Sequence, residues 1–480
     1  MIVYSDRAQT VSTRQLIAEI DQLSGVDRLI AFGQLEAGVV DALCRDVDED
    51  CAVTRAFRSG EIPPGHLPET ITIRDPEGYA YYALYPEMYA QSARRFLAEC
   101  RPEHCCVIGI RSIGASLSRV VACELEADSI TVRPHGHPFE RYVKLGPGLS
   151  RTLRTYEWFA VVDEGPGISG SSFAAVARAL NELGIGDNRI VFFPSWDHDG
   201  SGLRSAEARQ RWPRHRRYVT SFETCILPQL GSVRDASGGK WRELLEVWPA
   251  VQTQHERRKY LRGDTLLKFA GLGRIAHRKL ARAQLLADAG YTPGAVGIEN
   301  GFISTRWEAG EPVTAASPRL VARMREYIAF LEANFQVDGC VRFDEIMQMI
   351  EVNTGRSPVV DRSLIEGGRL TAVDGRMLPH EWIATAHGYF KTDALDHHDD
   401  HFFPGCQDIA WDIAGAEVEF DLPPGTFGDN PRLPFYRIAY CSYRLGYARM
   451  AQEALAGDPD GERFRSLGNR YESLVGQLLS

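Results

Sequence analysis

The stretch Val161-Val162-Asp163-Glu164-Gly165-Pro166-Gly167-Ile168-Ser169-Gly170-Ser171-Ser172 sets two acids, three glycines and three serines at the end of the apolar run that starts at Trp158. Glycines let a backbone come close to a ligand, and hydroxyls add donors. A helix starting behind them aims free N–H groups and the positive end of its dipole at the same point. That combination suits a phosphate, with Gly165, Gly167, Ser169, Gly170, Ser171 and Ser172 as its contacts. Asp163 and Glu164 would repel a phosphate they touched. They suit the neutral hydroxyls of an attached sugar or a divalent cation, so the ligand called for carries both a phosphate and a diol. A plain turn is the structural alternative.

Two further constellations stand out. In Ser195-Trp196-Asp197-His198-Asp199-Gly200, Trp196 and Asp197 could stack on and hydrogen-bond a base or another ring, although Asp/Gly turn chemistry accounts for the same residues. Residues 393 to 401 pack four acids and three histidines into nine positions. His397 and His401 share a face if this segment is helical, and imidazole with carboxylate suits Zn²⁺, Mn²⁺ or Fe²⁺. A solvated polar loop is the other reading.

The elements that must position these groups follow from hydrophobic patterning. Cys105 to Ile110, Phe159 to Val162 and Ile190 to Pro194 are short, continuous apolar runs. They alternate with helical patterns at Ala115 to Leu125 and Phe173 to Leu183. This predicts a parallel sheet covered on both faces, with ligands outside the carboxyl ends of its strands. Beyond about residue 240 the texture changes. Short strands at Arg257 to Leu261 and Thr265 to Phe269 precede a helix at Arg278 to Ala289, an apolar segment at Gly301 to Trp307 and a long helix at Arg319 to Ala333. An α+β second domain is expected. The boundaries read as 1–235 for the first domain, 236–254 for a linker and 255–480 for the second.

A chain of 480 residues, 44% hydrophobic and 25% charged, is a multi-domain globular protein. Its net charge of −10 argues against nucleic acid or an anionic membrane as partner, and small molecules are expected instead. No apolar run is long enough to span a bilayer, and the start shows no secretory signal. Ten scattered cysteines without a C-x-x-C suggest buried thiols in the cytoplasm.

Residues 80 to 230 resemble the type I phosphoribosyltransferases. Four apolar residues, two acids and a Gly/Ser loop opening a helix look like that family's 5-phosphoribosyl-1-pyrophosphate loop. Ser169-Gly170 stands where the family usually has Thr-Gly, and the loop is one residue longer than the commonest form. Val107 to Ala115 is similar to the family's first strand and pyrophosphate loop, which implies Arg111, Ser112 and Gly114 as ligand contacts. Val132 to Lys144 falls where a mobile hairpin closes over the pyrophosphate, which implies Arg133 and Arg141; a solvated hairpin is the plainer reading. The resemblance implies phosphoribosyl transfer with Mg²⁺. Asp163 and Glu164 would hold the ribose hydroxyls and favour the positive charge that builds on the ring. The acceptor is not legible.

Residues 255 to 430 resemble the aminoglycoside phosphotransferase and choline kinase group. Leu266-Leu267-Lys268-Phe269 looks like the strand whose lysine pairs with nucleotide phosphates. Phe302 to Pro312 is similar to the strand and hinge, and Gln407-Asp408-Ile409-Ala410-Trp411-Asp412-Ile413-Ala414 to the family's Gly-Asp-Pro-Ala-x-Asp-Leu-Ala. The resemblance implies ATP at Lys268 and metal contact from Asp393 and Asp408. It fails at the catalytic loop, Asp374-Gly375-Arg376-Met377-Leu378-Pro379-His380-Glu381. There Arg376 occupies the place of the catalytic aspartate and Glu381 that of an asparagine, and an arginine accepts no proton. The expectation is a phosphoribosyltransferase-like α/β domain joined to a kinase-like α+β domain. Its alternatives are an ATP-dependent small-molecule kinase whose first half binds a sugar phosphate, and a non-catalytic sensor of nucleotides or sugar phosphates.

Overall fold

The structure is a computed structural model that describes residues 8–44, 48–49, 57, 62, 67–400 and 402–480. It divides into two compact units. One comprises the described residues up to Gly231 together with Gly271–Arg274; the other comprises residues 232–270 and 275–480.

The first unit is built on five parallel strands. In spatial order they are Arg216–Arg217, Ile190–Phe193, Trp158–Val162, Cys105–Ile110 and Asp128–Val132. Every residue of Cys105–Ile110 is buried, as expected of a central strand covered on both faces. Helices Gly114–Leu125 and Ser171–Glu182 follow the strands they were expected to follow. From Cys105–Ile110 the chain crosses to one side, and from Trp158–Val162 to the other, so the carboxyl ends of these two neighbours flank a reversal of strand order. Ligands of open parallel sheets bind at such a reversal.

Glycine makes the junction tight. A Cβ on Gly109 would stand 2.3 Å from the Gly114 carbonyl oxygen, and one on Gly114 would stand 2.7 Å from the Val162 carbonyl oxygen. His135–His137 and Glu140–Tyr142 pair as the expected antiparallel hairpin. Ahead of the sheet, helices Thr13–Ile20 and Gly25–Leu43 pack over the antiparallel pair Gln9–Ser12 and Thr70–Ile73 around Leu16, Leu35, Val39 and Ile71.

The second unit opens with an antiparallel sheet. Its order is Arg234–Asp235, Lys259–Arg262, Thr265–Phe269, Phe302–Arg306, Ala295–Glu299, with helix Arg274–Asp288 between its third and fourth strands in sequence. A small sheet of Glu311–Pro312, Trp382–Thr385 and Gly388–Lys391 follows, among helices Pro318–Asn334, Phe343–Thr354, Ala410–Glu419, Leu433–Ala454 and Pro459–Leu478. Trp382, Trp411, Tyr327 and Tyr440 are fully buried in its core.

The stretch 236–254, expected as a linker, is part of this unit. It forms short 3-10 turns at Lys240–Leu244 and Thr253–His255, and Arg242 makes a buried two-pronged pair with Asp460 at 2.7 and 2.9 Å. Only its opening, Ser237-Gly238-Gly239, has the composition of a linker; Ala236 and Val251 are buried, and the partner of Arg242 lies more than two hundred positions away. Among the described residues, no helix is long and apolar enough to cross a membrane.

Candidate functional site

Each unit carries a cluster of candidate residues. In the first, Asp163 and Glu164 sit half-buried at the carboxyl end of Trp158–Val162. Tyr89 donates its hydroxyl to the Asp163 carbonyl at 2.7 Å, and the Ser195 N–H donates to the Glu164 and Gly165 carbonyls at 3.2 and 3.1 Å. Burial lifts the Asp163 carboxyl to about 7 against the pull of Arg141 and Arg133. It lifts Glu164 to about 8, with the charges of Glu77 and Asp163 adding to the effect. Carboxyls short of water in this way gain from a cation or from hydroxyl donors.

The following loop is pinned at both ends. Gly170 adopts φ +66° with Leu203 against it, so a Cβ there would meet Leu203 at 2.7 Å; Gly167, at φ +58°, faces open space. Ser169 and Ser171 share a 2.9 Å hydrogen bond between hydroxyls, and Ser171 donates to the Pro138 carbonyl at 2.6 Å, tying the loop to the hairpin. Ser172 is half-buried in the first turn of the helix.

Arg111 and Arg133 converge on Asp41, an acid in a helix of ordinary composition that no motif marks. Asp41 Oδ1 accepts from Arg111 Nε at 2.8 Å, while its Oδ2 accepts from Arg133 Nε at 2.8 Å and lies 2.5 Å from Arg133 Nη2. Burial alone would raise the Asp41 carboxyl, yet hydrogen bonds and charge from Arg133 and Arg111 hold it below its usual range. Arg133 Nη2 also reaches the Ser112 hydroxyl at 3.4 Å. Trp196 is 48% exposed and meets His198 edge-on at 4.8 Å. Asp197 contacts Arg217 at 3.3 Å, while Asp199 accepts from the Ser201 N–H at 2.9 Å, which is turn chemistry.

The second unit contains a cavity of about 860 Å³ whose lining includes Lys268, Arg376, Glu381, Asp393, His397 and Arg444. Lys268 projects from Thr265–Phe269 to Asp393 at 2.6 Å and to Asp396 at 3.0 Å. Burial opposes charge on Lys268, but the two acids outweigh it and keep the ammonium charged; Lys268 in turn holds both carboxyls well below their usual range.

The loop carrying Arg376 is fixed from behind. Asp412 accepts the N–H groups of Asp374 and Gly375 at 2.8 and 2.9 Å, and the Trp411 indole donates to the Gly375 carbonyl at 3.2 Å. This is the physical content of the Asp-Ile-Ala-Trp-Asp-Ile-Ala pattern. Arg376 Nη2 lies 2.6 Å from His397 Nε2, 3.2 Å from Glu381 and 3.6 Å from Asp393. His397 Nδ1 lies 3.0 Å from the Asp374 carbonyl; burial and Arg376 oppose charge on this imidazole, but Asp393 and Asp374 outweigh them and shift it upward.

The expected metal ligands separate. Asp393 lines the cavity. Asp408 does not: its carboxylate accepts from the N–H groups of Ala410 at 2.9 Å and Arg369 at 3.2 Å. Among the described residues, the group of three donors spaced to hold a metal is Asp374, Glu381 and His397. The Lys391 ammonium stands 3.1 Å from Asp374 and 3.0 Å from Glu381, however, and supplies the positive charge there. Mg²⁺ is commonly held by one or two carboxylates together with substrate phosphates, and Asp393 fits that arrangement alone. Residues 397–399 form a short 3-10 turn where a helix would have aligned His397 with His401, and His401 lies outside the described residues.

Sequence reading also passed over Asp396, Lys391 and Arg444. Local signal existed only for Asp396, inside the acid-rich segment.

No protein-family model matches the chain, and no curated protein matches it. Solved structures similar to it include a choline/ethanolamine kinase family protein from Mesorhizobium loti at 15% identity, covering 53% of this chain and 92% of that one with a TM-score of 0.35. Choline kinase LicA from Streptococcus pneumoniae is 14% identical, covering 49% and 96% with a TM-score of 0.29. An aminoglycoside 2'-phosphotransferase-IIIa solved with GDP is 13% identical, covering 47% and 92% with a TM-score of 0.31. Likenesses of this level span about half the chain and leave its substrate unassigned.

Proposed function

We propose that the chain is a nucleotide-dependent transferase acting on a small polar molecule. The second unit takes ATP as phosphate donor, with Lys268 on its phosphates and Asp393 on the accompanying Mg²⁺. The first unit holds a phosphorylated sugar at the loops after Ile110 and Val162. The observation that carries this reading is the 2.6 Å pair of Lys268 and Asp393 inside a cavity of about 860 Å³. One member offers charge to a phosphate and the other to its cation, and ligand binding would exchange each for its proper partner. When bound, Mg²⁺ would neutralise the charge of the transferred group. Phosphoryl transfer depends mainly on positioning and electrostatics, so the replacement of the usual acid by Arg376 alters the site without emptying it. We place the chain in the cytoplasm, where the free thiols of its nine described cysteines would persist.

A second reading, phosphoribosyl transfer, is favoured by a separate observation. Arg111–Gly114 and Asp163–Ser171 leave adjacent parallel strands at the reversal of strand order, where a phosphorylated sugar would lie between them.

Calorimetric titration with ATP and with phosphoribosyl pyrophosphate, each with Mg²⁺, separates the readings. ATP is expected to bind and to lose about tenfold or more in affinity in Lys268→Met. Failure of ATP to bind would overturn the first reading. Binding of phosphoribosyl pyrophosphate alone would favour the second. Binding of either without turnover across a panel of acceptors would mark a sensor.

A further inference from the structure

Arg376 and Arg444 both line the large cavity, and both carry donors that the fold leaves unused. The Arg444 side chain, on helix Leu433–Ala454, is 7% exposed. Its Nε donates to the Tyr471 hydroxyl at 3.2 Å and lies 3.6 Å from Glu419, while neither of its Nη atoms has a hydrogen-bond partner among the described residues. Glu419 is already engaged: it accepts from the hydroxyls of Tyr440 and Tyr471 at 2.7 Å each and from Arg470 at 3.1 Å. One carboxylate therefore faces two arginines. Across the same neighbourhood, Arg376 commits Nη2 to His397, Glu381 and Asp393, and its Nη1 has no partner among the described residues. The two guanidiniums oppose each other's charge. Burial holds the adjacent His380 down at about 4 despite Glu381, with Arg376, Lys391 and Arg444 contributing, so this imidazole adds no charge at neutral pH.

A guanidinium buried with open donors is stabilised by an oxyanion that accepts two parallel N–H bonds. We propose that the cavity of the second unit binds an acceptor bearing an anionic group, a phosphate or carboxylate, clasped by Arg444 and Arg376. This rests on the phosphotransferase reading and adds the class of its acceptor. The nucleotide's own phosphates share that chemistry, and the test below tells the two sources apart.

The experiment titrates glycerol 3-phosphate, glycerol and choline into the full-length protein by calorimetry, with and without Mg²⁺ and the non-hydrolysable ATP analogue AMPPNP. Glycerol 3-phosphate is expected to bind about tenfold or more tightly than glycerol or choline, since charge-assisted hydrogen bonds set the difference. Arg444→Gln should weaken it by a similar factor while AMPPNP affinity stays within about twofold of wild type, and Arg444→Lys should recover part of the loss. If Arg444→Gln does not fold, Arg376→Gln carries the glycerol 3-phosphate comparison in the nucleotide-free titration. Equal binding of glycerol or choline, no binding of glycerol 3-phosphate, or its undiminished binding to the glutamine variants would each overturn the proposal. A matching loss of AMPPNP affinity in Arg444→Gln would assign the arginine to the nucleotide and overturn it as well. Failure of wild type to bind AMPPNP would reject the phosphotransferase reading separately, because the anion preference is also read in the nucleotide-free titration.

Discussion

Asp41 bridges Arg111 and Arg133, with Arg133 Nη2 at 2.5 Å from one of its oxygens and Arg111 Nε at 2.8 Å from the other. The two arginines that the resemblance read in the sequence would place at a pyrophosphate are thus neutralised by an aspartate from helix Gly25–Leu43. Any anion arriving at these arginines competes with that carboxylate. Removing one partner of a buried pair leaves charge without compensation, which typically costs about 3 kcal/mol. Asp41→Asn should therefore lower the melting temperature. Inorganic pyrophosphate should raise it by more in the variant than in wild type, because the ligand replaces the lost charge. Equal shifts in the two proteins would show that the pair does not face an anion site.

Asp163 and Glu164 give the first unit a pH signature. Their carboxyls stand at about 7 and about 8 in the folded state, above the ordinary values of 3.8 and 4.5. A raised carboxyl means that the folded chain binds more protons than the unfolded chain between those limits. Its contribution to stability is complete below the ordinary value and declines as pH rises through the folded value. Thermal stability should fall from about pH 4.5 to pH 8, and Asp163→Asn with Glu164→Gln should flatten that slope. Melting curves across this range decide the matter; an unchanged slope in the double variant would contradict the assignment.

If phosphoribosyl transfer operates, the same double variant should abolish it with the fold intact. A well-placed group that stabilises developing charge contributes roughly 3 kcal/mol to the transition state. Turnover of phosphoribosyl pyrophosphate at wild-type rate in the variant would remove both acids from the chemistry.

Asp412 provides a test of the second unit's scaffold. It holds the N–H groups of Asp374 and Gly375 and is fully buried. Asp412→Ala leaves two buried donors unmatched and should destabilise by about 3 kcal/mol, whereas Asp412→Asn, which keeps one acceptor oxygen, should lose less. Urea denaturation of the two variants checks the order. A harmless alanine would mean that the loop is held elsewhere.

How far the sequence discloses this arrangement depends on the range of the contacts. Cys105 to Ile110 and Thr265 to Phe269 are legible to the residue, because a strand writes itself in a short apolar run. The 163–172 loop is legible because strand, glycines and hydroxyls are contiguous. Asp41 is not, since it meets Arg133 across 92 positions and lies in a helix of ordinary composition. Asp408 misleads in the other direction: a motif marks it for metal, and its carboxylate holds the N–H groups of Ala410 and Arg369. Arg376 is legible from sequence as a misfit, but Arg444, which lines the same cavity, lies 68 positions further along the chain and carries no local signal.

On the proposed function, Lys268 and Asp393 hold each other until a nucleotide separates them. A crystal structure of the full chain with AMPPNP and Mg²⁺ measures this directly. The expected result is nucleotide in the cavity of the second unit, the Lys268 ammonium moved from Asp393 onto a phosphate, and Asp393 turned to the metal. Nucleotide bound at the 163–172 loop instead, or a cavity left empty with the 2.6 Å pair intact, would contradict it.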